Sequence, residues 1–391
     1  MNLLSSSISS SKPLTKARAL FVVLWTLLGL VVIDATVNRA FAYPTDPKVT
    51  QVGTVRQYFE YGRSIEGKLA SITRPDLNQT APITLAGWYK PLKVETIGAP
   101  TGAPIVSFYG MSHSVRLAHA VARTSHEYQI RSIGAPGATA NWALGAFLHD
   151  SDRTKSKVAV LSIMSMTAPM DTTMTAMTWN SAFPMPYTED RFELSGGGLR
   201  TIAPPFESFQ DYVRAFYNPQ LWERARADFK AHDTYYNDVM VRRSVLDHSV
   251  IMRLLRRSYG LHLERQSRAD VLDEHGFNPR SEQVRVLNGI IQRFADQARK
   301  DGIIPFIFIV NNLGYGTVLY DAVKGTLIRS DIPYLASQTV VSPQDPRGYL
   351  PDSHFTDVND DRLAQALEQL IQKKLAAKTP NVSPPAARTV H

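Results

Sequence analysis

The chain is expected to fold as a three-layer α/β/α domain around a parallel, flavodoxin-like sheet, with a helical insertion and an N-terminal membrane segment. Three observations predict this. Short β-rich apolar runs occupy 104–109, 157–164 and 303–310; the first lies between Pro104 and Gly110, and the last follows Gly302. Amphipathic helical patterns at 113–124, 281–300 and 360–373 alternate with them, and such alternation argues for a parallel sheet with helices on both faces. A terminal apolar run at 19–33 stands apart from both.

Composition sets the bounds. A chain of 391 residues is one large domain or two medium ones. At 44% hydrophobic and 20% charged, it can bury a sizeable core, so fibrous and disordered classes are excluded. A net charge of +8 is a mild excess over this length and is no argument for nucleic acid, which is not expected as a partner. Without Cys there are no disulfides, thiolate metal sites or Cys nucleophile.

The N-terminus speaks to compartment. Residues 1–18 carry Lys12, Lys16 and Arg18 but no acid, and residues 19–33 are almost wholly apolar up to Asp34. Fifteen helical residues span about 22 Å, short of a hydrocarbon core of roughly 30 Å unless the helix continues through Val37. One reading is a cleaved signal peptide with Ala40-Phe41-Ala42 as its small-x-small site. The preferred one is a retained signal anchor, because Asp34 and Arg39 make an unusual cleavage region. In both, the chain beyond about residue 43 is exported; the anchor reading makes it a single-pass protein with its main domain outside the cytoplasm.

The elements come in chain order. Residues 43–100 are polar and Pro/Gly-punctuated, and are expected to be a lead-in segment packing on the main domain at 101–375. Strand 104–109 is followed by a helix on Val115, Ala118, Val121 and Ala122, then strands at 127–133 and 157–164. A helical insertion, about 180–280, interrupts the alternation. Residues 180–205, with Gly196-Gly197-Gly198, read as loop. Residues 206–275 read as helical and basic: Leu246, Val250, Ile251, Leu254 and Leu255 form an apolar face, while Arg243, Arg253, Arg256 and Arg257 decorate a solvated remainder. Its position beside the third-strand loop predicts that the insertion covers the loop ends and shapes a cleft. The helix at 281–300 ends at Gly302, the apolar run 303–310 reads as a strand buried on both faces, and a shorter strand lies at 332–338. The Pro/Ala-rich tail, 376–391, is expected to be disordered.

Ligands of such sheets bind beyond the carboxyl ends of the strands. The first of those loops is Gly110-Met111-Ser112-His113-Ser114, the second Gly134-Ala135-Pro136-Gly137, and the last region is Pro351-Asp352-Ser353-His354. An unassisted Ser hydroxyl is a poor nucleophile and needs an adjacent base. His354 suits that role, Asp352 would orient its imidazole, and the N–H groups of Ser112 and Gly137 would bind an oxyanion.

The order of these blocks resembles the SGNH (GDSL-like) hydrolase and acyltransferase superfamily. Its first block carries Ser after a strand, its second Gly, and its last Asp-x-x-His or close variants; here one residue separates Asp352 from His354. The resemblance covers about 101–375, less the insertion. It implies Ser112, Asp352 and His354 as catalytic residues, Ser112, Gly137 and Asn180 as oxyanion donors, and no cofactor. Two departures stand. Met111 replaces the family's Asp before Ser. The Gly-x-Asn-Asp block after the third strand is missing, with Ser162-Ile163-Met164-Ser165-Met166-Thr167 in its place. Asn180 is the leading substitute for its Asn, with Ser165, Thr167 and Asn141 as others.

Plainer alternatives exist for each residue. Ser112 is a good helix N-cap, His354 would serve a loop, and Gly137 a turn. His113, His119 and His126 read as structural, with no metal expected. Trp142 and Trp179 read as core. Asn78-Gln79-Thr80 is a glycosylation sequon. The expected function is a membrane-tethered serine esterase or deacetylase acting on an acylated polysaccharide or lipid. An O-acyltransferase using the same three residues and an inactive glycan-binding domain of this type are the alternatives. Oligomeric state is left open.

Overall fold

The computed structural model describes residues 15–42, 53–98, 102–179 and 185–378. Asn180 and the tail from residue 379 lie outside them. Helix α1 (Lys16–Ala40) is 25 residues long, and among the described residues it is the one helix long and apolar enough to cross a membrane. It outlasts the expected apolar run because Asp34, Asn38 and Arg39 find solvent or partners without breaking the helix. Its residues 20–33 project away from the rest of the chain.

The lead-in segment forms α2 (Thr54–Glu60), α3 (Ile65–Ile72) and strand β1 (Glu95–Gly98). The expected alternation comes next as β2 (Ile105–Gly110), α4 (Ser112–Thr124), β3 (Gln129–Gly134), α5 (Ala140–His149) and β4 (Val158–Met164). After a short α6 (Ala176–Trp179) come a hairpin, β5 (Arg191–Ser195) and β6 (Gly198–Ile202), then α7 (Phe209–Phe216), α8 (Pro219–His232), α9 (Asp238–Val241) and α10 (Val250–Ala269). A second small hairpin, β7 (Leu272–Asp273) and β8 (Gly276–Phe277), precedes α11 (Glu282–Lys300), β9 (Ile304–Val310), α12 (Val318–Arg329), β10 (Tyr334–Ala336) and α13 (Asp357–Lys378).

The main sheet runs β1-β3-β2-β4-β9-β10. All its pairings are parallel except that of β1 with β3. β4 and β9 are buried along their whole length, which is why they read as continuous apolar runs. The chain leaves β2 for β3 on one side and returns past it to β4 on the other, so the strand order reverses at β2. Right-handed crossovers then place α4 on one face and α5, α11 and α12 on the other. α11 packs on α5 and α12, and α13 returns to pack on α4.

Several expectations need correction. Residues 191–202 are a hairpin, not loop: Gly196 and Gly197 both have positive φ (43° and 114°), the backbone that a two-residue hairpin turn demands. The apolar face expected at 243–257 is fully buried only at Val250. Leu246 sits in a 3-10 turn and Leu255 is exposed, while Arg253 and Arg256 are buried and paired with Glu60 and Asp247. The solvated face assigned to these arginines is therefore wrong for those two, because α2 and the turn before α10 supply acids to meet them. Residues 376–378 continue α13; Ala376 and Ala377 are strong helix formers.

The lead-in segment packs on the main sheet through β1 and on the insertion through α2 and α3. Glu66 accepts from Trp222 Nε1 and Arg226 Nη1, each at 2.7 Å, and Asp247 accepts from Ser64 N at 2.9 Å. The insertion in turn sits at the carboxyl ends of the strands. Asp233 accepts from Met174 N (3.0 Å) and Thr178 Oγ1 (2.9 Å), and Tyr235 donates to Pro169 O (2.7 Å), all in the segment that leaves β4.

Candidate active site

β2 delivers the chain directly into α4. Met111 occupies the position before the helix and makes no side-chain cap, so Ser112 is the first helical residue. Its hydroxyl is free of capping duty and lies 2.6 Å from Nε2 of His354. Nδ1 of His354 lies 3.0 Å from Oδ2 of Asp352, and Oδ1 of the same carboxylate accepts the His354 N–H at 3.2 Å. Hydroxyl, imidazole and carboxylate thus form one chain of contacts, bridging 242 residues of sequence between Ser112 and His354. The bond to His354 holds the Asp352 carboxyl below the usual carboxylate range. Asp352 is 65% exposed and His354 22%.

A tight turn places Asp352 and His354 on the same atoms with one residue between them. Ser353 adopts φ 70°, left-handed for a non-Gly residue. Ser353 N donates to Leu350 O (2.9 Å) and Leu350 N to His354 O (2.7 Å), closing the turn on both sides. This backbone lets carboxylate and imidazole meet across a single intervening residue.

Two further residues brace the turn, and the sequence reading missed their roles. His113 stacks on His354 with ring centroids 4.6 Å apart, meets Phe355 edge-on, and donates from Nε2 to Ser353 O at 3.2 Å. Burial, aided by the neighbouring His354, pushes the His113 imidazole down to about 4. Arg116 lies one turn beyond Ser112 and binds Asp360 Oδ2 (2.8 Å), Asp357 Oδ1 (2.7 Å) and Phe355 O (3.1 Å). It fastens α4 to the start of α13. Its signal in the sequence was the i+4 spacing from Ser112 and the acids at 357 and 360.

The expected oxyanion donors fare differently. Ser112 N begins a helix and Gly137 N sits in the turn after β3; neither donates to any described residue. Gly137 has φ 64° and faces Trp179 and Met185. Asn180 lies outside the described residues. The other substitutes are committed elsewhere. Ser165 Oγ donates to Asn312 Oδ1 (3.0 Å), Thr167 Oγ1 turns to Met164 O, and Asn141 Nδ2 donates to Thr173 O (3.2 Å). Asn312, at the end of β9, also accepts from Met166 N and leaves its buried Nδ2 unpaired.

Of the remaining flagged residues, Trp179 is half-buried against the core with its Nε1 unpaired, and His126 is exposed. His119 pairs with Glu95 at 3.0 Å, and Trp142 is buried with Nε1 on Gly87 O. Among the described residues no three His, Asp or Glu side chains group as metal ligands. A buried carboxyl cluster holds the segment after β4: Glu189 accepts from Thr139 and Thr173, and Asp171 from Ala140 N. Burial raises Glu189 to about 8, Asp233 to about 6, and Asp171 well above its ordinary value.

No family model matches the chain. No curated protein matches it either. A crystal structure of a "putative acylhydrolase" from Bacteroides fragilis aligns with 71% of this chain and 91% of its own, at 11% identity and a TM-score of 0.35. A likeness that slight assigns neither fold family nor activity.

Proposed function

We propose that the chain is a membrane-anchored serine hydrolase of the SGNH type, cleaving esters of an acylated carbohydrate or lipid through an acyl-enzyme on Ser112. The observation that supports this best is the 2.6 Å contact of Ser112 Oγ with an imidazole whose other nitrogen rests on Asp352. Added support comes from the reversal of strand order at β2, where ligands of doubly wound sheets bind. The five parallel strands follow the flavodoxin-like order 2-1-3-4-5, as an SGNH domain requires.

In this mechanism Nε2 of His354 takes the hydroxyl proton as Oγ attacks the ester carbonyl carbon. Asp352 accepts from Nδ1–H, fixes the tautomer and stabilises the imidazolium. The free N–H groups of Ser112 and Gly137 hold the oxyanion, each worth about 3–4 kcal/mol, with Asn180 as the third donor. The alcohol leaves with the proton from His354. A water, deprotonated by the same nitrogen, then attacks the acyl carbon and releases the acid and Ser112.

Helix α1 serves as a retained anchor, with the domain on the extracytoplasmic side. Retention is supported by Asp34 and Asn38, which bond to α10 and its approach and would be lost on cleavage after Ala42.

Time-resolved intact-mass measurement with an activated acetyl ester tests the assignment. A transient acetyl adduct that disappears in Ser112→Ala is expected. Transfer of that acetyl to added sugar in preference to water would reassign the chain as an O-acyltransferase. Absence of any adduct with a panel of esters would overturn the enzyme reading.

A further inference from the structure

The end of α1 is bonded into the folded domain, and this fixes which domain surface meets the bilayer. Among the described residues, α1 meets the rest of the chain through Asp34 and Asn38, and Phe41 just beyond it packs near Phe59. Asp34 Oδ1 accepts from Ser249 Oγ (3.0 Å) and Ile251 N (2.9 Å) at the start of α10, and Asn38 Nδ2 donates to His248 O (2.9 Å). Asn38 Oδ1 accepts from Arg253 Nη2 at 2.6 Å. Asp34 directly follows the apolar run, so the start of α10 stands at the level where α1 leaves the hydrocarbon.

That level is apolar on the outside. Val245 is 82% exposed and Leu246 41%, in the turn whose last residue, His248, bonds to Asn38. Leu255 is 59% exposed, one helical turn beyond Ile251. A protein surface in water has no reason to display such residues together at the foot of a membrane helix. Beside the apolar turn Arg243 is exposed, while Arg242, also exposed, pairs with Glu223 (2.9 Å) and Asp238 (3.1 Å). Arg253 and Arg256 are buried against Glu60 and Asp247. Apolar side chains at headgroup depth with an arginine beside them suit an anionic lipid surface.

We propose that Val245, Leu246 and Leu255, with Arg243, form a second membrane contact that seats the domain on the leaflet from which α1 emerges. The contact rests on the proposed passage of α1 through the bilayer, and it adds what a tether alone lacks, a fixed orientation of the domain. The partner is the phospholipid surface, reached by continuity with α1.

The absence of cysteine makes the test direct. Single variants Leu27→Cys, Val245→Cys and Ile328→Cys of the full chain are labelled with an environment-sensitive fluorophore and reconstituted into vesicles containing anionic phospholipid and a shallow nitroxide-bearing lipid. Leu27 reports on α1; Ile328, 69% exposed at the far end of α12, reports on a surface remote from the contact. The expected result is a blue shift and loss of emission at Leu27 and Val245, with Ile328 unchanged. Quenching at Leu27 with Val245 matching Ile328 would overturn the contact while leaving the anchor in place. No quenching at either Leu27 or Val245 would overturn both.

Discussion

The ring of His113 lies on the ring of His354, centroids 4.6 Å apart and planes inclined by 28°. One imidazole is buried and held neutral, with a folded value of about 4; the other touches Ser112 and Asp352. His113 is thus a positioning residue that walls one face of the proposed base without competing for its proton. His113→Ala should lower kcat with little change in KM, and His113→Phe, which keeps a flat ring there, should restore most of it. Steady-state kinetics on the two variants decide this; equal losses in both would assign His113 a different role.

The same residue makes a stability prediction. Between about 4 and its ordinary 6.5, folded His113 stays neutral while the unfolded chain takes up a proton. The unfolded state binds more protons in that window, so stability falls as pH drops through it. The full effect is about 3 kcal/mol at pH 4. Denaturant midpoints measured from pH 7 to 4 should show a shallower decline in His113→Phe than in the parent.

Glu189 acts in the opposite direction. Its folded value of about 8 lies above the ordinary 4.5, so the folded chain holds a proton the unfolded one releases. Its contribution is complete below about 4.5 and is lost as pH rises through 8. Glu189→Gln should remain folded at pH 9 under denaturant concentrations that unfold the parent. An identical alkaline profile in the two would refute burial as the cause.

For the proposed chemistry, Ser112→Ala and His354→Ala should each lower kcat by about 10⁴-fold or more with the circular dichroism spectrum unchanged. Asp352→Asn should cost roughly two orders of magnitude less than either, since an orienting carboxylate is partly replaceable, and this one is well exposed to water. Full activity in both Ser112→Ala and His354→Ala sinks the assignment.

Arg116→Leu removes the clasp between α4 and α13 and leaves the buried Asp360 without its partner. A loss of about 2 kcal/mol in unfolding free energy is expected, together with a fall in kcat as the turn carrying His354 loosens. Arg116→Lys keeps the charge but not the three-way fork, and should recover stability better than turnover.

The features legible in the sequence are those set by local physics. Strands buried on both faces print themselves as apolar runs, and Ser112 and Gly137 could be placed in loops just past strand ends. Distant partnerships were not recognisable. Arg253 looked like a solvated residue because its acid, Glu60, is 193 residues away. Arg116 carried only the faint signal of its spacing from Ser112 and the acids at 357 and 360, and Gly196-Gly197 read as loop because a hairpin turn and an irregular one share the same composition. The reach of α1 into α10 had no sequence signature beyond one misplaced-looking Asp34.

Ser353 has a narrower tolerance than its neighbours. A backbone at φ 70° admits Gly, Asn or Asp cheaply and penalises β-branched side chains. A β-branched residue there would strain the turn that joins Asp352 to His354, so one backbone angle carries the reach of that whole pair.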